Sequence, residues 1–116
     1  MSHKECIFCE IAKGAVPVKK VYEDEDLLAF WDIAPQAPSH FLIIPRKHIE
    51  SINDLGDEES TIAGKMVIAA KRISAMSGID RSGYRFVINC NKDAGQEVFH
   101  LHAHVLGGRK FNWPPG

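Results

Sequence analysis

The sequence predicts an α+β fold: a five-stranded, mainly antiparallel sheet with one short N-terminal helix and one long helix. Three observations carry this expectation. Five short runs rich in β-branched, aromatic or alternating apolar residues are separated by turn residues. One long stretch between the third and fourth runs has helical periodicity instead. The chain of 116 residues contains no internal repeat or low-complexity linker, so residues 1–116 are read as one domain.

The elements follow in order. In CIFCEIAK, Ile7 and Ile11 stand four apart and Gly14 falls where a helix would stop, so residues 6–13 form the short helix. Residues 19–22 and 27–31 flank the acidic run EDED and read as two strands joined by a tight turn. Pro35 and Pro38 in APQAPS cannot sit inside a central strand and mark a constrained loop. Residues 40–44 are the next strand, ended by Pro45. The long helix is expected from about residue 57 to 77, with Asp57 as cap and Glu58 and Glu59 at the positive end of its dipole. Ile62, Met66, Ala69, Ile73 and Met76 form its apolar stripe, which is read as core, and Gly78 closes it. Gly64 inside the helix costs up to about 1 kcal/mol. Tyr84, Phe86 and Ile88 alternate with Arg85, Val87 and Asn89, giving a half-buried strand over 84–90. NKDAGQ is then a loop, and residues 98–106 are the last strand.

Composition narrows the function. Fourteen basic and fifteen acidic residues leave a net charge of −1, which argues against a nucleic-acid coat or a polybasic membrane binder but not against binding one nucleotide. The longest apolar runs, such as FLII, are too short to span a bilayer. No secretory signal or prenylation motif is recognised, and three cysteines in such a chain read as thiols or metal ligands. The expected setting is a soluble intracellular one, cytoplasmic or also nuclear.

The chemistry concentrates in FHLHAHVLGG. On a strand, His100, His102 and His104 share one face about 6.6 Å apart, while Leu101, Ala103 and Val105 face the core. Two chemistries fit. Alternating imidazoles can ligate a catalytic zinc with an open position for water. Alternatively, a neutral imidazole is itself a nucleophile near pH 7. Spacing alone leaves both open.

The pattern His-apolar-His-apolar-His-apolar-apolar over 100–106 resembles the histidine-triad signature. IFCEI, YEDEDLLAFWDIAPQAPSHFLIIPRKHI, GYRFVIN and GQEVFHLHAHVLGGRKFNWPPG extend the resemblance to nearly the whole chain. They point to the histidine-triad nucleotide-binding proteins, the purine nucleoside phosphoramidase branch. The resemblance implies a histidine-triad fold in which His102 attacks the α-phosphorus of a nucleoside 5′-phosphoramidate. A nucleotidyl-histidine forms, and water releases the nucleoside monophosphate. His104 would contact the phosphate oxygens, His40 would join the network, and His100 would support the nucleophile. Asn89, Gly95 and Val98 would line the phosphate pocket, and Glu97 would offer its backbone N–H there while its carboxylate points away from the phosphate or meets the leaving amine. Asp32 would hold the ribose hydroxyls, as an acceptor-only carboxylate can. Ile7, Phe8, Ile11, Phe30, Ile33 and Leu42 would surround the base, although each reads alone as core. Glu97 and Trp31 depart from the pattern of relatives that carry a serine and a smaller or more polar residue there.

Cys6-Ile-Phe-Cys9 lacks the preceding strand of a thioredoxin-like redox motif. In the wider superfamily such a pair binds a structural zinc together with two histidines, and His48 and His100 stand at the matching positions. Two free thiols are the alternative. Catalysis itself would need no cofactor. Cys90 reads as a small core residue and His3 as a tail residue. The resemblance also implies a homodimer whose C-terminal tail crosses to the partner, so that Trp113 shapes the partner's leaving-group site. Arg46, Lys47, Arg109 and Lys110 read as solvated charges. A metallohydrolase on the three histidines and a non-catalytic nucleotide-binding scaffold are the rival functions.

Overall fold

The computed structural model describes residues 6–116; His3 lies outside them. The elements are α1 (Ile7–Ala12), β1 (Lys20–Glu23), β2 (Leu27–Trp31), β3 (Ser39–Pro45), 3-10 turns at Ile52–Asp54 and Asp57–Glu59, α2 (Ser60–Met76), β4 (Tyr84–Val87), α3 (Asn91–Ala94) and β5 (Ala103–Gly107). The five strands form one sheet in the order β1-β2-β3-β5-β4, with every neighbouring pair antiparallel. The expected α+β architecture is therefore the observed one.

The alternation of strand side chains divides the core between two faces. Leu27 and Ala29 of β2, Phe41 and Ile43 of β3, and Ala103 and Val105 of β5 pack with Met66, Ala69, Ala70 and Ile73 of α2. On the other face Leu28, Phe30, Leu42 and Ile44 pack with Cys6, Phe8 and Ile11 on and beside α1. β2 and β3 are thus buried on both sides, which is why they read as continuous apolar runs.

The helices differ from expectation at their ends. The α-helix starts at Ser60, after a 3-10 turn, and Asp57 is not its cap. Instead the buried carboxylate of Glu59 accepts the N–H of Gly56 at 2.7 Å and the ammonium of Lys47 at 2.9 Å. Met76 is 68% exposed rather than part of the stripe. Ten residues at about 100° each carry it some 80° off the line of Met66, and Ala70 and Ser74 take the buried positions instead. NKDAGQ contains the single helical turn α3, ended by Gly95 in the left-handed region at φ 87°. Cys6 caps α1, its Sγ accepting the N–H of Cys9 at 3.4 Å.

Two strands are shorter than expected. β4 ends at Val87, although Ile88 still packs against the α2-side core. β5 begins at Ala103, opposite Ile43, so His100 and His102 precede the strand instead of lying on it. Pro45 supplies the reason, since continuing the ladder would need a backbone N–H that proline lacks. Its carbonyl is taken by the ring of His100 at 2.7 Å, and the N–H of Leu101 turns to the carbonyl of Ile49 at 2.6 Å.

Candidate active site and metal centre

On the sheet face that carries α1, β3 and β5 lie side by side with Leu42 opposite His104. His40, two residues before Leu42, points to the same face. Its Nε2 lies 2.9 Å from Nδ1 of His104 and 3.4 Å from Oδ2 of Asp32. The backbone N–H of Gln36 donates to Nδ1 of His40 at 3.0 Å.

These contacts assign the protons. Because Nδ1 of His40 accepts from Gln36, its proton sits on Nε2 and is donated to Nδ1 of His104. His104 then carries its own proton on Nε2. His102, only 7% exposed, donates from Nδ1 to the carbonyl of His100 at 2.7 Å, which leaves a lone pair on its Nε2. The rings of His102 and His104 stand 5.1 Å apart, and Phe8 meets His102 edge-on at 5.1 Å. The site therefore offers a bare ring nitrogen beside an N–H donor.

Burial keeps these rings neutral. It lowers His102, against the opposing hydrogen bond to His100 and the charge of Asp32. It likewise lowers His40 against Asp32. His104 is brought down to about 4, mainly by burial and further by His102 and His40. A neutral His102 is what nucleophilic attack requires.

His100 is fully buried and faces away from that chemistry. Its Nδ1 lies 3.4 Å from Sγ of Cys6 and 3.5 Å from Sγ of Cys9, while Nδ1 of His48 lies 3.2 Å from Sγ of Cys9. The four ligand atoms fall within 4.8 Å of one another. Tetrahedral zinc with ordinary Zn–S and Zn–N lengths needs S···N separations of about 3.5 Å, so the donor set fits. The Nε2–H of His100, donated to Pro45, fixes the tautomer that presents Nδ1 to a metal. Burial pushes the Cys9 thiol up to about 11, with Cys6 adding to the rise; a divalent cation reverses that preference. Among the described residues, no metal-capable group joins His100, His102 and His104, and the ring of His100 belongs to the cysteine cluster instead.

The remaining candidates divide clearly. Phe8, Ile11, Phe30 and Leu42 join the apolar cluster beneath the site, with Val98 at its margin. Ile7, at 43% exposure, and Ile33, at 99%, are not core residues: Ile7 lies on the outer side of a one-sided helix, and Ile33 lies in the loop after β2. Asn89 is half-buried and Gly95 and Glu97 are exposed, with the Glu97 side chain free of the core. Trp31 packs edge-on against Phe41 on the α2 side, away from the histidines. Trp113 is 84% exposed.

Sequence reasoning missed four contributors. Gln36 and Pro45 act through backbone atoms, which leave no trace in residue type. Arg109 donates from Nε to the carbonyl of Gln36 at 3.1 Å. Gln96 is buried, accepting the N–H of Asn91 at 2.8 Å and donating to the carbonyls of Glu50 at 2.7 Å and Val98 at 3.1 Å. Its only signal was a polar side chain between two candidate pocket residues.

The fold thus sets the hydrogen-bonded pair His40 and His104 beside the carboxylate of Asp32. The HIT domain family model matches residues 13–111, and the chain belongs to that family. The chain is 44% identical over 106 residues to the purine nucleoside phosphoramidase of Escherichia coli (strain K12), covering 91% of this chain and 89% of the relative. It is 43% identical over 106 residues to an uncharacterized HIT-like protein of Buchnera aphidicola subsp. Baizongia pistaciae (strain Bp), covering 91% and 95%. The crystal structure of a HIT family hydrolase from Legionella pneumophila Philadelphia 1 superposes with a TM-score of 0.95 at 51% identity, covering 97% of this chain and 100% of that one. A histidine triad protein from Clostridium difficile gives 0.93 at 45%, covering 97% of each. Among the described residues no helix is long and apolar enough to cross a membrane.

Proposed function

We propose that this protein hydrolyses purine nucleoside 5′-phosphoramidates through a covalent nucleotidyl-histidine. The observation that carries the reading is the Nδ1–H of His102 held on the carbonyl of His100 at 2.7 Å, which leaves the lone pair of Nε2 available and supports that atom as the nucleophile. Nε2 of His102 forms a bond to the α-phosphorus as the P–N bond breaks, and the amine departs after taking a proton from solvent, which the water of the second step gives back. Water then attacks the same phosphorus, returning the electron pair to Nε2 and releasing the nucleoside monophosphate. The Nε2–H of His104 donates to a non-bridging oxygen as charge develops there. The ribose hydroxyls bind Asp32, and the base lies over Phe8, Phe30 and Leu42. The phosphoramidase name of a relative 44% identical supports the substrate class.

The cysteine cluster is part of the same reading. Cys6, Cys9, His48 and His100 would hold a zinc ion that ties α1 to the sheet and takes no part in the reaction. The chain would act as a homodimer. β4 is an outer strand whose free edge can pair with a second copy, and the exposed Trp113 is available to a partner's site. Thiols kept reduced suit the cytoplasm or nucleus.

Hydrolysis of adenosine 5′-phosphoramidate, followed as release of adenosine monophosphate, tests the reading. Turnover that survives a chelator and disappears in His102→Ala is expected. Turnover abolished by the chelator at a temperature where the protein stays folded, or retained in His102→Ala, would overturn it.

A further inference from the structure

Arg109 follows β5 on an exposed turn, where the sequence suggests only a solvated charge. Its side chain is instead ordered by three contacts. Nε donates to the carbonyl of Gln36 at 3.1 Å, Nη1 donates to the carbonyl of Lys110 at 3.1 Å, and the guanidinium lies over the ring of Phe111 at 4.2 Å. The same turn touches the 32–38 loop a second time. Gly108 has φ 89°, and a Cβ there would come within 3.0 Å of Cβ of Pro38, so the close approach depends on glycine. The segment after β5 thus grips the loop before β3 at two points.

That loop sets the polarity of the histidine pair. The Gln36 side chain donates to the carbonyl of Ala34 at 3.0 Å, and the N–H of Ala34 donates to Oδ1 of Asp32 at 2.8 Å. The Gln36 N–H donates to Nδ1 of His40 at 3.0 Å, which holds the His40 proton on Nε2, facing His104. If Gln36 moved away, His40 could carry its proton on Nδ1 instead. Its Nε2 would then accept from His104, whose own proton would shift to Nδ1. The Nε2 of His104 would be left bare, and a bare nitrogen repels a phosphoryl oxygen where an N–H attracts it.

We propose that Arg109 is a positioning residue: by holding the carbonyl of Gln36 it keeps the Gln36 amide on His40, and thereby the proton of His104 on Nε2. The inference rests on the phosphoramidase reading for its effect on rate, though not for its effect on tautomers. Arginine suits the task because its planar guanidinium stacks on Phe111 while Nε–H points sideways to the loop; a lysine ammonium lacks that geometry.

The test compares the full chain with Arg109→Ala and Arg109→Lys. Adenosine 5′-phosphoramidate kinetics, thermal melting and 15N–1H spectra of the histidine rings are measured on each. An exposed charge-assisted hydrogen bond is worth about a five- to tenfold fall in kcat in both variants, with KM changed by less than about twofold. The melting temperature stays near wild type. His40 and His104 pass from Nε2–H alone toward a mixture with Nδ1–H, and added guanidinium ion restores part of the rate to Arg109→Ala. Unchanged tautomers in the variants would overturn the proposal, whether or not the rate falls, because a fall without a tautomer change places Arg109 on the substrate. A wild-type chain with no turnover would instead sink the phosphoramidase reading, and the ring spectra alone would then decide the role of Arg109.

Discussion

The backbone carbonyl of His100 holds Nδ1–H of His102 at 2.7 Å, while the ring of His100 faces Cys6 at 3.4 Å and Cys9 at 3.5 Å. One residue therefore serves two clusters through different atoms. Its ring belongs to the cysteines, its main chain orients the ring of His102, and Phe8, carried between the two cysteines on α1, packs against both histidine rings. The ring of His100 thus groups with Cys6, Cys9 and His48, while the rings of His102 and His104 stand together 5.1 Å apart.

His40→Phe keeps an aromatic ring in the buried position but removes the donor to Nδ1 of His104. The expected result is a fall in kcat of about a hundredfold, the scale of a lost proton-positioning group, with a smaller change in KM. Steady-state kinetics on adenosine 5′-phosphoramidate measures it.

Asp32→Ala removes the acceptor assigned to the ribose. Affinity for adenosine monophosphate should fall by about ten- to a hundredfold, as for a lost hydrogen bond to a charged group. A 2′,3′-dideoxy ligand should bind the wild type and the variant alike. Calorimetric titration of both ligands checks this.

Withholding zinc from the proposed Cys6, Cys9, His48 and His100 site should lower the melting temperature without removing activity below it. Cys9→Ser should lose zinc, read by atomic absorption, and unfold at lower temperature, because the six-residue α1 is too short to be stable without its anchors. Turnover at low temperature should persist in chelator.

Acid should destabilise the protein through its buried neutral histidines. His104 titrates near 4 when folded and near 6.5 when unfolded, so between those values the unfolded chain binds the extra proton. Stability is full above about pH 6.5 and is lost as pH falls toward 4, by about 1.4 kcal/mol per pH unit for each such histidine. His40, also lowered by burial, acts in the same direction. Urea unfolding from pH 7 to 4.5 measures the slope, and a His104→Asn variant should show a shallower one.

Gln96→Ala strands the N–H of Asn91 and the carbonyls of Glu50 and Val98 together. At about 1 kcal/mol for each lost part-buried hydrogen bond, a loss of about 2–3 kcal/mol is expected in denaturant unfolding.

What the sequence revealed depended on how locally each feature is determined. Continuous apolar runs bounded by turn residues mark β2 and β3, and the Met66–Ile73 stripe marks α2, because burial on two faces or on one leaves its pattern directly in the sequence. The sequence suggests too long a last strand because the constraint comes from Pro45, 55 residues away from His100 in the chain. Ile33 looked like core by type but stands in solvent, since hydropathy does not say which side of a loop faces inward. The histidines of the candidate site are legible through their spacing and family resemblance. The roles of Gln36 and Arg109 are not legible, because the Gln36 amide that holds His40 could come from any residue type and the Arg109 side chain meets a backbone carbonyl 73 residues away in the chain.

Rapid quench of the protein with substoichiometric adenosine 5′-phosphoramidate, followed by intact-mass analysis under alkaline conditions and peptide mapping, tests the central claim most directly. The account predicts an adduct of one adenylyl group on His102 that forms before adenosine monophosphate appears, in the presence or absence of chelator. Product formed in a single turnover with no adduct at any time would contradict it and assign the attack to water.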